Sequence, residues 1–305
     1  MARCAILAAI LAAAAVHAES PARIVVLVSA EGPAYEQALR GLEAHFDQAR
    51  LPADLDVEKV QGDGSALDRL VAEIASSPPD LVIALGQMAA ARVLEDGPGI
   101  PVVGGLLLDS RLLESRENAT GIFLEFPVRV QLGWLRKFFP NARSVGVLFH
   151  PETNGERILQ AQDAAKELGF ELVAREVGSP LDLPDGLRSL ANRVDVLWGI
   201  VDPVVLSPAT AKSVLSFSYA HRIPFTGLSE SWVKAGAVYA LERDYEDIGR
   251  QCAEAAVRVL SGADIASIRP EGPRRVCYAV NLQAARHMKL ELADLLVRGA
   301  DRVFE

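Results

Sequence analysis

Short apolar runs rich in Val, Ile and Leu alternate with longer amphipathic stretches along almost the whole chain. The longer stretches have a period of about 3.6 residues, as in residues 35–49, where Ala38, Leu42 and Phe46 share one face. Such alternation predicts parallel β-sheets with helices on both faces. The apolar runs predict β-strands at residues 23–29, 53–60, 80–85, 100–106, 143–149, 170–177, 194–200, 223–227 and 236–241.

The alternation is interrupted once, near the middle of the chain. Residues 109–127 are first charged and polar and then apolar without a clean period, and similar βα units lie on either side of them. We interpret this segment as a crossover between two α/β lobes, and residues 237–245 as a second crossover. Because open α/β sheets bind ligands at the carboxyl ends of their strands, two facing lobes predict one shared cleft.

The first 18 residues differ from the rest of the chain. Arg3 precedes an apolar run from Ala5 to Val16, and Val16-His17-Ala18 fits the small-x-small pattern of a cleavage site. The run is too short to span a bilayer, and its apolar residues cover every face, which favours a secretory signal peptide over a buried N-terminal helix. We expect export to the periplasm and no membrane insertion of the mature chain.

Composition and charge exclude several kinds of partner. Half of the residues are hydrophobic and 23% are charged, which is typical of a soluble globular protein. The net charge of −9 disfavours binding to nucleic acid or to anionic membrane surfaces. Cys252 and Cys277 remain after removal of the signal peptide, and one pair is not a disulfide framework. We expect two buried free thiols, although export would permit a disulfide.

The sequence contains no recognised catalytic or metal-binding motif. The glycine-rich residues 61–67 do not form a phosphate-binding loop, and there is no G-x-S-x-G nucleophile elbow. The five histidines show no metal-ligand spacing and no acidic cluster accompanies them. We therefore expect a protein that is not an enzyme and that has no cofactor and no metal.

Polar side chains follow several predicted strands at the points where helices begin. Free N–H groups and the positive dipole end of a helix attract carboxylates, and Asp202 or Glu230 could meet an ammonium group. The alternative is that these residues only cap their helices, above all Thr153, Ser231 and Asp202. The residues at these tips are Ser29, Glu31, Gln87, Met88, His150, Thr153, Asn154, Asp202, Ser229, Glu230 and Ser231.

Four stretches resemble a known family of periplasmic binding proteins. They are DLVIALGQMAAARV, NATGIFLEFPVRVQLGWLRKFFPNARSVGVLFHPETNGE, IPFTGLSESWVKAGAVYALERDYEDIGRQCAEAAVRVLSG and YAVNLQAARHMKLEL. Their order and spacing resemble the tryptophan/tyrosine-binding-like substrate-binding proteins of ABC importers. The resemblance implies a type 1 periplasmic binding fold, with two Rossmann-like lobes and parallel sheets joined by a three-segment hinge. It also implies capture of a small solute, often an amino acid, without catalysis.

Positions matched to the family imply a ligand-facing set. In the first lobe these are Gln87, Met88 and Ala89; in the second they are His150, Thr153, Asn154, Asp202, Ser229, Glu230 and Ser231. The family often has a small hydroxyl residue where this chain has Gln87, so the ligand itself does not transfer. Leu107, with Met88, suggests that the ligand has an apolar part.

From this resemblance we expect one lobe from residues 22–121 and 242–268, and a second lobe from residues 122–241 and 269–305. Gly121 and Gly236 are expected near the hinge. The expected partners are a small-molecule ligand and the membrane permease of an ABC importer. A periplasmic sensing module that presents its closed form to a receptor kinase or an outer-membrane partner is the alternative.

Overall fold

Two β-sheets flanked by helices form the fold in a computed structural model of the chain. The structure describes residues 21–49, 51–60, 64–108, 110–113 and 116–305. The expected signal peptide, residues 1–18, lies outside these described residues. In the described part of the chain, no helix is long and apolar enough to cross a membrane.

The first sheet has five parallel strands in the order β2-β1-β3-β4-β5. Its edge strand β5 lies inside the segment 109–127, which we had interpreted only as a crossover. Its sequence ATGIF contains Thr and Gly and follows a charged segment, so it gives a weaker strand signal than the apolar run LVIAL of β3. The strands are β1 (Ala22–Val28), β2 (Ala53–Lys59), β3 (Leu81–Leu85), β4 (Val102–Leu107) and β5 (Ala119–Phe123).

The second sheet has seven strands in the order β12-β11-β10-β9-β8-β6-β7. Only the β10–β11 pair is antiparallel. The predicted strands are confirmed to within a few residues, whereas β11 and β12 were not predicted. The strands are β6 (Ser144–Phe149), β7 (Glu171–Glu176), β8 (Val196–Trp198), β9 (Phe225–Gly227), β10 (Tyr239–Arg243), β11 (Val276–Asn281) and β12 (Arg302–Phe304).

Helices cover both faces of each sheet, as the alternating pattern predicts. Their apolar stripes pack on the strands, so each sheet lies between two hydrophobic clusters. The helices are α1 (Pro33–Ala49), α2 (Gly64–Ser76), α3 (Gln87–Asp96), α4 (Val128–Phe138), α5 (Pro151–Glu167), α6 (Leu183–Leu190), α7 (Ala211–His221), α8 (Glu230–Ala235), α9 (Tyr245–Leu260), α10 (Leu282–His287) and α11 (Asp294–Arg298).

The chain passes between the two layers three times. It crosses after β5 through residues 124–127, after β10 at Asp244, and again before β11 through residues 268–275. Although α9 follows a strand of the second sheet, it packs against α1 of the first. The two helices approach so closely that a Cβ on Gly249 would collide with the carbonyl oxygen of Ala38. This contact explains why α9 returns to the first sheet.

Neither glycine expected near the hinge lies in a crossing segment. Gly121 is inside β5, where its carbonyl accepts a hydrogen bond from the Glu271 backbone N–H at 3.0 Å. Gly236 ends α8 with a φ of 126°, a left-handed conformation that favours glycine. The cysteines are both free: Cys252 is buried in α9, as expected, whereas Cys277 in β11 is only partly buried.

Candidate ligand-binding site

An open cavity lies at the carboxyl ends of β8 and β9, bordered by the first crossing segment and by β10. It encloses about 460 Å³, including the part that is open to solvent. This position agrees with the rule that α/β sheets bind ligands at the carboxyl ends of their strands. The polar and aromatic side chains of its wall belong to Glu125, Phe126, Gln131, Trp198, Thr226, Tyr239 and Arg243.

Three aromatic residues contribute to the apolar part of this wall, together with aliphatic residues, and one glutamine holds two of the aromatic residues in place. Trp198 is only 4% exposed, so it belongs to the core and also borders the cavity. Its Nε1 donates to Gln131 Oε1 at 3.1 Å, and Gln131 Nε2 donates to the Phe126 carbonyl at 2.7 Å. Tyr239 is also buried, and burial raises the pKa of its phenol, which keeps it neutral. The result is a rigid aromatic surface.

Arg243 borders the same cavity from the end of β10. Its Nε donates to the Leu124 carbonyl at 2.7 Å, which joins the first and second crossing segments. Its guanidinium carbon lies 5.7 Å from the centroid of the Phe126 ring. Among the described residues, its two Nη atoms have no hydrogen-bond partner and no carboxylate lies within 4.0 Å of them. These donors are therefore open to a ligand.

The other charged group of the wall, Glu125, already has a protein partner. It forms an ion pair with Arg157 Nη2 of α5, and the two side chains are 28% and 23% exposed. Burial raises the pKa of Glu125, while Arg157, Gln131 and the charge of Arg243 oppose the rise. Arg157 Nη1 is buried without an acceptor among the described residues. The crossing segment thus contains one carboxylate with two guanidinium groups nearby.

None of the residues predicted to face the ligand lies in this wall. At the first sheet, Ser29 Oγ accepts a hydrogen bond from the Ala89 N–H at 3.0 Å, so it occupies one of the donors that we expected α3 to offer. Ala89 and Leu107, two of the residues expected to contact the ligand, are fully buried in the core. Glu31 is exposed in the loop after β1.

Gln87 and Met88, at the start of α3, are also accessible. Gln87 is partly exposed, and its Oε1 accepts from the Leu108 N–H at 3.2 Å, which joins the ends of β3 and β4. Met88 is 36% exposed. Gly86, directly before them, has a φ of 105° and no room for a side chain. Gly86 therefore allows the sharp turn from β3 into α3, and the side chains of Gln87 and Met88 after it remain accessible to solvent.

Asp202, which we expected to meet a ligand ammonium group, is instead surrounded by hydrogen-bond donors of the protein. Its Oδ1 accepts from the backbone N–H groups of Val204 and Val205, both at 2.9 Å. Its Oδ2 accepts from the His150 N–H at 2.7 Å and from Asn154 Nδ2 at 2.8 Å. With four donors and 2% exposure, the carboxylate has no free face for a ligand. It is a structural residue of the β6 and β8 tips.

The remaining second-lobe residues lie close to these tips. Asn154 is 2% exposed and also donates to the Val201 carbonyl at 3.1 Å. Thr153 is exposed, with its Oγ1 3.4 Å from the partly exposed His150 Nδ1. The structure therefore brings His150, Asn154 and Asp202 together, with Thr153 at their edge.

At the β9 tip, Ser229 and Ser231 contact each other, with 2.7 Å between their Oγ atoms. Glu230 is exposed, and its carboxylate lies 4.0 Å from Arg302 Nε. Its backbone N–H donates to the Glu242 carboxylate. These groups lie directly after Leu228, which borders the cavity.

Sequence reasoning missed Glu125, Phe126, Gln131 and Arg243 because they lie in or near segments interpreted only as crossovers. The signal available in the sequence was a charged residue in each of these two segments, Glu125 in the first and Arg243 in the second. Among the described residues, no cluster of His, Cys, Asp and Glu has the geometry to hold a metal ion.

The two α/β layers, the three crossings and the cavity between β8 and the first crossing define a type 1 periplasmic binding fold. The model of the family "ABC transporter substrate binding protein" matches residues 23–304, so the chain belongs to this family.

Similar proteins agree with this assignment. A tyrosine-binding protein of Clostridioides difficile (strain R20291) is 24% identical over 251 residues, covering 78% of this chain and 72% of the relative. The ligand-free, open structure of a Clostridium difficile substrate-binding protein with adhesive properties has a TM-score of 0.74 at 21% identity, with 93% and 99% of the two chains covered. The ABC domain from Streptococcus pneumonia in complex with L-Trp has a TM-score of 0.59 at 18% identity, with 93% and 100% covered.

Proposed function

We propose that this protein captures a small amphipathic carboxylate of the amino-acid class between its two lobes and delivers it to the permease of an ABC importer. The observation that carries the proposal is the cavity, which places an aromatic wall next to the open donors of Arg243. A pocket of mainly apolar lining with a few fixed polar groups is typical of small-ligand sites. The family and the tyrosine-binding relative support the amino-acid class.

The two lobes, in this proposal, comprise residues 22–123 with 245–267 and residues 128–243 with 276–305. The bounds expected from the resemblance, 121/122 and 241/242, would divide β5 and β10 between the lobes. Closure would bring the accessible Gln87 and Met88 of one lobe towards the cavity of the other. A hinge motion about a few segments is a common way for two domains to close around a ligand.

The ligand class is tested by thermal unfolding with a panel of amino acids and small organic acids. A ligand at about 100 times its Kd stabilises the folded protein by about 2.7 kcal/mol, which raises the melting temperature. We expect tyrosine, tryptophan or phenylalanine to give a shift, and alanine or glycine, which lack the apolar body, to give a smaller one. If no compound shifts the melting temperature, and mass spectrometry finds no small molecule released from freshly purified protein, the proposed function is wrong.

Export is a separate part of the proposal. The full chain, expressed with a C-terminal tag in a bacterial host, should be recovered from the periplasmic fraction with Glu19 as its first residue. Replacement of Leu7 and Leu11 by Asp would interrupt the apolar run and should leave the protein in the cytoplasm. Periplasmic recovery of both forms would contradict the signal-peptide interpretation.

A further inference from the structure

The charges around the cavity differ from those that a zwitterion-binding site would need. A site that holds an ammonium group and a carboxylate equally offers a free acceptor and a free donor. Here the donor is free, because the Nη atoms of Arg243 have no partner among the described residues. The acceptor is occupied, because Glu125 is paired with Arg157. The polar end of the cavity therefore has a net charge of about +1 from these three groups.

Two further carboxylates, Glu242 and Asp202, lie near this end but are not in the cavity wall. Glu242 precedes Arg243 in β10, and neighbouring residues of a strand point to opposite faces. Its carboxylate accepts a hydrogen bond from the Glu230 backbone N–H and lies within electrostatic reach of Arg243, but Glu242 is not one of the residues of the cavity wall. Asp202 is saturated by four donors of the protein. Asp202 therefore has no acceptor site left for a ligand ammonium group, and Glu242 does not border the cavity.

We propose that Arg243 is the residue that selects the ligand, by binding its carboxylate, and that the site does not require an ammonium group. The apolar body of the ligand lies along Phe126 and Trp198, both of which Gln131 holds in place. This inference rests on the proposed function and names the specificity of the same cavity. The planar fork of the guanidinium suits a carboxylate because two parallel N–H donors match its two oxygens.

The inference separates three compounds that share one aromatic body. Tyrosine has both charged groups, 3-(4-hydroxyphenyl)propionate has only the carboxylate, and tyramine has only the ammonium group. Tryptophan, indole-3-propionate and tryptamine form a matching set. In at least one set, calorimetry should give the acid a Kd within about tenfold of the Kd of the amino acid. The amine should bind about 10 to 100 times more weakly, the factor expected for one charge-assisted hydrogen-bond pair.

Two variants test the residue itself. Arg243→Gln removes the charge and keeps a donor for the Leu124 carbonyl, so this variant should still fold. Its affinity for the acid and for the amino acid should be lower by about tenfold or more. Arg243→Lys should recover part of the affinity because it restores the charge without the fork. The matched control is Arg222→Gln on the exposed surface after α7, which should bind like the unchanged protein. Melting temperatures of all variants without ligand show whether each is folded.

The outcomes distinguish this inference from the function on which it rests. Tyramine or tryptamine binding as tightly as its amino acid, or unchanged affinity of the acid in a folded Arg243→Gln protein, overturns the role of Arg243 while the proposed function stands. If none of the six compounds binds, the inference is wrong, and so is the expectation that the ligand has an aromatic body. Binding of the amino acid alone, with the acid lost, shows that an ammonium group is required and also overturns the inference.

Discussion

Asn154 donates a hydrogen bond from Nδ2 to Asp202 Oδ2 over 2.8 Å, and this bond joins the ends of two neighbouring strands, β6 and β8. Both side chains are 2% exposed. The same carboxylate oxygen accepts from the His150 N–H, so two donors from the beginning of α5 converge on one acceptor after β8. The pair fixes the edge of the second sheet from which the cavity opens.

Replacement of Asp202 by Ala should destabilise the protein by about 3 kcal/mol or more. Four donors would lose their acceptor in a buried place, and each unsatisfied buried group costs about 1–3 kcal/mol before relaxation. Urea unfolding measures the change. Asp163→Ala, on the exposed face of α5, is the matched control and should change stability by no more than about 0.5 kcal/mol. Equal effects of the two substitutions would contradict the structural role of Asp202.

Gly86 should not tolerate alanine. Its φ of 105° is unfavourable for a side chain, and a Cβ there would lie 2.7 Å from Ser29 Oγ and 2.9 Å from the Tyr35 hydroxyl. We expect Gly86→Ala to lower the free energy of unfolding by about 2 kcal/mol. Gly133→Ala in the middle of α4, where nothing lies within 4 Å of the added atom, should instead stabilise by about 0.5–1 kcal/mol. If Gly86→Ala is as stable as the unchanged protein, the turn between β3 and α3 can shift to accept a side chain, and the prediction is wrong.

Arg136 should not tolerate lysine, because its planar guanidinium is surrounded by carbonyl groups. It donates five hydrogen bonds to four backbone carbonyls at the ends of α4 and α5, and its Cζ lies 3.6 Å from the Phe170 ring centroid. An ammonium group cannot match this fork, so Arg136→Lys should cost about 2 kcal/mol. Arg129→Lys, whose partner Glu167 is on the surface, should stay within about 0.5 kcal/mol. Urea midpoints of the two variants check this difference.

Two glutamates should give the stability opposite dependences on pH. Burial raises the pKa of Glu242 above its ordinary value of 4.5, so the folded state binds that proton more tightly than the unfolded chain. The resulting stabilisation is complete below that value and is lost as the pH rises through the folded-state pKa. The hydrogen bond from Arg274 lowers the pKa of Glu254, so its stabilisation is present above the ordinary value and is lost as the pH falls.

The measurement is the free energy of unfolding from pH 3 to 7 for the protein and for Glu242→Gln and Glu254→Gln. The stability advantage of the unchanged protein over Glu242→Gln should decrease as the pH rises. Its advantage over Glu254→Gln should increase over the same range. Parallel curves for the two variants would show that the opposite environments of these carboxyl groups do not affect stability.

The alternation of apolar runs and amphipathic stretches determined most of the fold before any contact was known. LVIAL of β3 is apolar at every position, which suits only a strand covered on both faces, and all five residues are buried. The same reasoning placed the other predicted strands and the helices between them. It did not place β5, β11 or β12, whose positions are fixed by the strands with which they pair.

Tertiary structure alone decided which polar groups are available to a ligand. Asp202 and Arg243 both follow or end a strand of the second sheet, and the sequence does not distinguish a charge with protein partners from one without. Folding surrounds Asp202 with four donors from two segments, whereas it leaves the Nη atoms of Arg243 open at the cavity. Local sequence specifies a strand and its end. Two of the Asp202 donors, Val204 and Val205, are local, but the other two and the Leu124 partner of Arg243 lie at least 48 residues away in the chain. Only the folded arrangement therefore decides whether such a charge supports the fold or binds a ligand.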